Sequence, residues 1–407
     1  MSKTLLLRLV RESAPGPTGR FHSEYGWPPE ERECVLEEAL RHGVLGRIWK
    51  QQGDRLRTVF SPSTTRRWRH AMRCLAARNL ASCDELLRVV QTLRHEGIRA
   101  LPVKGPALAV ALSGSPCSRD YADVDLLVDR AEATPALEIL RAAGYRDAQT
   151  GACTAAGDQV ALTHPDGTMV LELQWDLGRR WNLRSCAGEP PFVFGELWQR
   201  RTAVPFGSAE LPSLAGEDQF LLLSVHGARH CWRRLLWVCD AADAVSAWPQ
   251  MDWDFVFVQA ERLRCIRRVC LAFQLSSDVL GAPIPEFAQR RISRDARIPR
   301  IARGIVRRWD EPAPPEWRAD LSDLGFTLSS LDEWRDRAGL GGRALWAWFR
   351  PNGRDHALVA LPAWAAPVYY AIRPFRLAWR YGPEAMQAWL GFASRAEEDS
   401  GDTAIRF

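Results

Sequence analysis

Asp123 and Asp125 stand two residues apart at the start of the apolar run Asp123–Val128. Residues two apart on a β-strand point to the same face, so a strand here would present both carboxylates side by side. Two carboxylates this close repel each other unless a cation shares them, and carboxylate oxygens are ligands that Mg²⁺ prefers. The pattern therefore favours a strand that begins at a divalent-metal site. A solvated strand end whose aspartates cap a turn is the alternative.

A second feature lies upstream, where the short apolar run Ile98–Val103 ends at Lys104, Gly105 and Pro106 and the helical pattern Ala107–Leu112 follows. Glycine lets the backbone approach a phosphate closely, and the N-terminus of the following helix offers free N–H groups. Lys104 adds a compact positive charge for phosphate oxygens. The chain has three lysines among 54 Lys and Arg, and Lys104 is the one inside a motif. A plain strand–turn–helix connection is the alternative.

Two more charged residues belong to the same argument. Arg119 lies in the polar loop before Asp123, where it either clamps a phosphate with two parallel hydrogen bonds or pairs with Asp120 or Asp123. Glu172 alternates with leucines on a later predicted strand. It is either a third metal carboxylate or the exposed side of an amphipathic strand.

The periodicity of apolar residues divides the chain into four predicted parts. Residues 1–96 are an N-terminal helical region, and residues 97–205 alternate strand, helix, strand, helix and hairpin. Residues 206–295 form a helical domain, and residues 296–407 form a C-terminal helical extension. This order predicts an α+β fold, with a small mixed sheet between mainly helical N- and C-terminal regions.

Individual helices are predicted from spacing and capping signals. The N-terminal pattern covers Pro28–Gln52 and, more strongly, residues 62–97. Two amphipathic runs follow the α/β part, at Leu214–His230 and Trp232–Trp248, and Asp252 is a predicted N-cap.

Composition excludes few classes of protein. The net charge of +5 is small for this length, and it does not indicate a nucleic-acid partner. Ten cysteines without a Cys-x-x-Cys pair, and no signal-peptide pattern at the N-terminus, predict a reduced, cytoplasmic protein. No stretch reaches the ~18–20 apolar residues of a membrane span. The apolar stretch Leu358–Ile372 is predicted to be buried, with peripheral contact to a membrane surface as the alternative.

Taken together, these motifs resemble a known family. The run LPVKGPALAVALSGSPCSRDYADVDLLV, residues 101–128, resembles the motif region of the uncharacterised nucleotidyltransferase family, part of the DNA polymerase β-like superfamily. The segments 41–49, 224–245 and 369–377 are similar to flanking motifs of the same family. Gln174 departs from the pattern because the family commonly has His there, and Lys104-Gly105 stands where the superfamily usually has Gly-Ser.

The resemblance implies a polymerase β-like nucleotidyltransferase core, with residues 97–205 as the catalytic part. It implies that Asp123, Asp125 and Glu172 hold Mg²⁺ or Mn²⁺ and carry catalysis. Lys104, Gly105 and Arg119 are then expected to bind the phosphates of a nucleoside triphosphate or a nucleotide sugar.

His226 and His230, four residues apart with Cys231 adjacent, are a separate candidate. They either place an imidazole near the nucleotide, pack the helical region against the sheet, or bind zinc. Asp240 either contacts the nucleotide across the same interface or makes a polar contact between helices.

Three functions are consistent with these expectations. The first is transfer of a nucleotidyl group to a small-molecule, peptide or saccharide acceptor in a biosynthetic tailoring pathway. The second is glycosyl transfer from a nucleotide sugar to a peptide or phosphopeptide, such as a lasso peptide. The third is a non-catalytic nucleotide-binding partner protein.

Overall fold

A computed structural model of the chain describes residues 2–12, 29–148, 157–166, 169–180, 183, 191–310, 316–351, 359 and 361–373. Its contacts divide the chain into two compact units, Met1–Asp332 and Glu333–Phe407. Every residue of the predicted site belongs to the first unit. The division into four parts at residues 96, 205 and 295 stays a prediction.

Helices dominate the described residues. In chain order they are α1 Ser2–Glu12, α2 Pro29–His42, α3 Leu45–Val59, α4 Pro62–His95, α5 Gly105–Ser113, α6 Ala133–Ala142, α7 Leu177–Arg180, α8 Phe194–Arg200, α9 Gly216–Arg229, α10 Leu235–Ala247, α11 Trp253–Arg262, α12 Ile266–Leu280, α13 Glu286–Ser293, α14 Arg297–Asp310, α15 Glu316–Ser330 and α16 Trp334–Phe349.

Local capping explains where two of these helices begin. Helix α4 starts after Ser61, whose hydroxyl oxygen accepts a hydrogen bond from the backbone N–H of Thr64 at 3.2 Å, and Pro62 occupies the first helical turn. The Asp252 carboxylate accepts from the N–H of Phe255 at 2.9 Å, which confirms Asp252 as the N-cap of α11. The single helical pattern predicted for residues 28–52 is instead two helices, since the chain turns between α2 and α3.

A five-stranded mixed sheet lies among these helices. Its strands are β1 Ala100–Pro102, β2 Asp123–Val128, β3 Arg146–Asp147, β4 Gln159–Thr163 and β5 Val170–Gln174. Their order across the sheet is β1-β2-β5-β4-β3. Strands β2 and β5 are parallel, whereas the other pairs are antiparallel. The predicted α+β class, a small mixed sheet with flanking helices, is confirmed.

A second, two-stranded sheet was not predicted. Strands β6 Thr202–Phe206 and β7 Ala209–Ser213 form an antiparallel hairpin. Pro205 and Pro212 interrupt the alternation of apolar and polar residues in these strands, and proline demotes a run as a strand signal. The local pattern therefore did not indicate a hairpin here.

The sheet separates two hydrophobic cores. Val124, Leu126 and Val128 of β2 pack with α4 and α6 in one core, whereas Leu127 belongs to the other, which contains α9, α10 and α12. Because side chains alternate along a strand, Asp123 and Asp125 share the face of Leu127 and look toward the helical side. No helix within the described ranges is long and apolar enough to cross a membrane.

Candidate active site

Strands β2 and β5 bring three carboxylates together. Their register pairs Asp125 with Glu172, so the two side chains lie side by side on one face of the sheet. One carboxylate oxygen each from Asp123, Asp125 and Glu172 lies within 4.8 Å of the others. We call these three residues the carboxylate cluster. Among the residues that the structure describes, no other group of three His, Cys, Asp or Glu side chains has the spacing of a metal site. The described residues thus give no zinc site at His226, His230 and Cys231.

The cluster concentrates negative charge in a poorly hydrated place. Asp125 is 1% exposed, while Asp123 and Glu172 are half-buried. Two unit charges 4.8 Å apart repel by roughly 3–4 kcal/mol at an effective dielectric constant of about 20. Burial, and then the neighbouring charge of Asp125, raises the pKa of Asp123 above its ordinary value. A bound cation would offset both effects.

Lys104 supplies part of the missing positive charge. It is the residue before α5, and its Nζ lies 3.0 Å from Oδ2 of Asp125. That oxygen is buried and accepts no hydrogen bond of good geometry from the described residues. An ion pair without a satisfied acceptor leaves a lone pair of Asp125 for a further ligand. Hard oxygen donors of this kind fit Mg²⁺ or Mn²⁺.

Gln174 holds two of the three carboxylates in place. Its Nε2 lies 2.6 Å from Oδ1 of Asp125 and 3.2 Å from Oε2 of Glu172. An amide nitrogen carries two hydrogens, so it can donate to both carboxylates at once. The side chain that stands in place of the family's usual histidine is therefore a neutral bridge between Asp125 and Glu172.

Replacing Gln174 with leucine is expected to lower the free energy of unfolding of the metal-free protein by about 1–3 kcal/mol, because a buried carboxylate oxygen loses its donor. Urea denaturation in EDTA measures this. Gln159→Leu is the matched control, since Gln159 lies opposite Gln174 on β4. Equal stabilities of the two variants would contradict the bridging role.

Gly105 explains how β2 and α5 come so close. Its φ is +66°, and a Cβ at this position would lie 3.1 Å from the backbone oxygen of Asp123. A side chain would therefore be strained by its own backbone and would also press on the first residue of the acidic strand. The close approach that the structure shows at Gly105 is that of the β2 backbone. Contact with a phosphate stays a prediction.

We expect Gly105→Ala to destabilise the protein by clearly more than Gly114→Ala, which makes a well-matched control. Gly114 has nearly the same φ, +69°, but has open space where its Cβ would lie. A positive φ alone costs about 1–2 kcal/mol for a residue with a side chain, so the excess measures the contact with Asp123. Thermal and urea unfolding of both variants measure the two losses of stability. Equal losses would show that the backbone of Asp123 moves aside at no cost.

Arg119 is committed to one partner. Its Nε lies 2.9 and 3.1 Å from the two carboxylate oxygens of Asp240, and its Nη2 lies 2.9 Å from one of them. Both side chains are buried. Asp240, rather than Asp120 or Asp123, is therefore the ion-pair partner of Arg119. Burial lowers the pKa of Arg119, but Asp240, with smaller contributions from Asp123 and Asp125, raises it overall.

Two imidazoles and an indole lie next to this region. The rings of His226 and His230 are 4.6 Å apart, and the indole of Trp237 stacks on His230 at 4.9 Å. Burial, and then the charge of Lys104, lowers the pKa of His226 well below its ordinary value. His226 is thus a neutral imidazole close enough to Lys104 to sense its charge. The sequence pattern gave no reason to place Trp237 beside the two histidines.

Buried polar contacts hold the loops before and after α5. The Gln219 amide on α9 donates to the backbone oxygen of Val103 at 3.2 Å. The Asn79 amide on α4 donates to the backbone oxygens of Pro116 and Arg119, at 2.9 and 2.8 Å. Neither residue was predicted from the sequence, because a local pattern does not identify partners this distant. Together they fix the chain on both sides of α5.

A known protein family and a solved structure are similar to this chain. A family model described as "Uncharacterised nucleotidyltransferase" matches residues 28–281. A solved structure of an antigenic nucleotidyltransferase-like protein from Paracoccidioides brasiliensis is similar over 48% of this chain and 89% of that chain, with 18% identity and a TM-score of 0.29. A TM-score this low does not establish a shared fold. No curated protein matches the chain. The motif at residues 369–377 lies beyond the matched residues, and only its first part, residues 369–373, is among the described residues.

Proposed function

Because this chain belongs to the uncharacterised nucleotidyltransferase family, we propose that it transfers the nucleotidyl group of a nucleoside triphosphate with the help of Mg²⁺ or Mn²⁺. It is a transferase of the nucleotidyltransferase type. The observation that carries the finer proposal is the carboxylate cluster, in which three oxygens within 4.8 Å of one another suit one or two divalent ions. The acceptor is a small molecule, peptide or saccharide of a tailoring pathway.

In this proposal Asp123, Asp125 and Glu172 hold the metal, which, when bound, neutralises charge on the reacting phosphates. Gln174 keeps Asp125 and Glu172 at a fixed separation. The rigid sheet behind them prevents the carboxylates from spreading apart under their mutual repulsion.

Lys104 and Gly105 form the phosphate side of the site. The N-terminus of α5 directs free N–H groups away from the helix, and Lys104 provides a charge beside them. The Lys104 ammonium pairs with Asp125 in the described structure. With a nucleotide present we expect it to turn to a phosphate oxygen, which leaves Asp125 free for the cation.

The helical side contributes the base and ribose contacts. The rings of His230 and Trp237 are half-buried and stack on each other. We expect a nucleobase to pack against the exposed part of this pair. His226, neutral because of its burial and of Lys104, suits a hydrogen bond to an uncharged part of the nucleotide.

Asp240 engages the guanidinium of Arg119. We therefore expect Arg119 to hold the loop before β2 and to place a positive charge near Asp123 and Asp125, rather than to clamp a phosphate directly.

The test uses the full chain in a thermal-shift panel of the four nucleoside triphosphates, with Mg²⁺, Mn²⁺ or EDTA. At least one triphosphate is expected to raise the melting temperature only when the metal is present. Equal stabilisation in EDTA would contradict the proposed role of the cluster.

An acceptor screen by mass spectrometry then identifies the group transferred. A nucleoside monophosphate added to the acceptor supports the proposal. A hexose added from a nucleotide sugar would show glycosyl transfer instead, and metal-dependent nucleotide binding without any turnover would show a binding protein.

A further inference from the structure

A cavity of about 320 Å³ lies among α3, α5 and α10. Arg119 and Asp240 form part of its wall, whereas none of the three residues of the carboxylate cluster lines it. Its volume is at the small end of the range of ligand-binding pockets, about 300–1,000 Å³. We call it the helix cavity. The helix cavity is separate from the carboxylate cluster, and the ion pair of Arg119 and Asp240 lies near both.

Two ion pairs set the shape of the wall. One is Arg119 with Asp240, described above. In the other, Nη1 of Arg47 on α3 donates to Oδ2 of Asp243 on α10. Arg47 is 8% exposed, so a charged guanidinium is buried at the cavity and held by a carboxylate. Side chains paired in this way are already ordered before a ligand arrives, which lowers the entropy lost on binding.

The charges that line the cavity do not cancel. Its wall carries the cations Arg47, Lys50 and Arg119 but only two carboxylates. Burial raises the pKa of the Cys239 thiol to about 12, so this wall residue adds no negative charge. Lys50 accounts for the excess: its Nζ donates to the backbone oxygen of Ser113, and no carboxylate of the described residues forms an ion pair with it. The cavity therefore favours an anion at Lys50.

Several other polar groups of the wall offer acceptor atoms, whereas the amide of Gln51 can both donate and accept. The Ser113 hydroxyl donates to the backbone oxygen of Ala109 at 2.8 Å, and the Ser246 hydroxyl donates to that of Ala242 at 3.2 Å. With its proton engaged, the Ser246 hydroxyl oxygen can only accept from a ligand. The Ser113 hydroxyl oxygen already accepts from the backbone N–H of Ser115 at 3.3 Å. The Asp243 carboxylate is also an acceptor. A ligand that fits them carries hydroxyl or amino groups besides its acidic group.

Lysine usage in the chain agrees with this assignment. The chain has three lysines among 54 Lys and Arg. Lys104 lies at the carboxylate cluster, and Lys50 lies at the helix cavity. In a chain whose basic residues are almost all arginine, a lysine at each of these two places is consistent with a need for a compact positive charge.

We propose that the helix cavity binds a small organic anion whose other polar groups are hydrogen-bond donors, such as a hydroxylated carboxylic acid or a sugar phosphate. The acidic group pairs with Lys50, and the hydroxyl groups donate to Asp243 and Ser246. The carbon skeleton lies against the apolar walls provided by Leu112 and Leu236. Binding here needs neither the metal nor the nucleotide, so the inference is independent of the proposed function.

Isothermal titration calorimetry on the full chain, at low ionic strength and without metal or nucleotide, tests the proposal. The probes are glucuronate, glucose 6-phosphate and, as the neutral reference, glucose. Saturable binding of one charged probe, with glucose at least tenfold weaker, is the expected result. Whether glucuronate or glucose 6-phosphate binds identifies the acidic group as carboxylate or phosphate.

Four variants locate the binding. Lys50→Gln is expected to weaken the charged probe at least tenfold, and Ser246→Trp, at the exposed rim, to block it. Arg57→Gln is the control on the same helix, because Arg57 is exposed and does not line the cavity. Lys104→Gln is the control for binding at the carboxylate cluster, and both controls should bind like the native chain. The proposal is overturned if no probe saturates, if Lys50→Gln binds normally, or if Lys104→Gln loses binding equally.

Discussion

Replacing Asp123 with asparagine is expected to reduce metal-dependent nucleotidyl transfer by on the order of a thousandfold, because the metal loses a charged ligand worth several kcal/mol in the transition state. The same change should remove the metal-dependent thermal shift produced by the triphosphate. Asp147→Asn, an exposed aspartate on β3 of the same sheet, is the control and should leave both readouts unchanged. Full activity of the Asp123 variant would exclude the proposed metal site.

The variant should also be at least as stable as the native protein when metal is absent. Burial and the charge of Asp125 raise the folded-state pKa of Asp123 above its ordinary value of 3.8. The stability that its protonated form contributes is complete below that value and is lost as the pH rises through the folded-state pKa. At pH 7 in EDTA the native carboxylate therefore opposes folding, and asparagine removes that penalty. A large loss of stability at pH 7 would show that Asp123 has a structural role instead.

The second large effect concerns the buried pair of Arg119 and Asp240. Asp240→Leu is expected to lower the free energy of unfolding by about 3–5 kcal/mol, since it leaves an uncompensated buried guanidinium. The double variant Arg119→Met with Asp240→Leu should recover most of this loss, because two apolar side chains need no mutual neutralisation. Urea denaturation of the native chain, both single variants and the double variant completes the cycle.

Asp147→Asn is again the control for this cycle, because the pair of Arg141 and Asp147 is exposed. Its removal should change stability by less than about 1 kcal/mol. If the double variant is as unstable as Asp240→Leu alone, the loss comes from packing and not from the stranded charge.

The acidic face of β2 could be predicted from the sequence because it depends on a local rule. Alternation along a strand places Asp123 and Asp125 on one face, and the structure places their side chains there. Alternation with leucines left Glu172 as either a third metal carboxylate or an exposed position, and the resemblance to a family favoured the first. The position of Glu172 beside Asp125 is set by the pairing of two strands separated by more than forty residues, and no local pattern contains that register.

Partners across long distances in the sequence were beyond prediction. Arg119 and Asp240 are 121 residues apart, and both had been considered separately. Gln174 was predicted only as a departure from the histidine that is usual in the family. The structure adds which carboxylates receive its two hydrogens. The hairpin β6–β7 was missed because prolines interrupt its alternation. In each case the deciding information is three-dimensional packing.

The parallel pairing of β2 with β5 has a consequence for the fidelity of folding. A slip of one residue would turn Glu172 to the opposite face and bring Leu171 or Leu173 beside Asp125. A misaligned chain would therefore have two acidic ligands where the native chain has three, and it would bind a divalent cation more weakly. A ligand stabilises the state that binds it by RT ln(1 + [L]/Kd). A cation bound at the proposed site would therefore favour correctly aligned molecules over misaligned ones. The divalent cation proposed for catalysis would thus also favour the native register of β2 and β5.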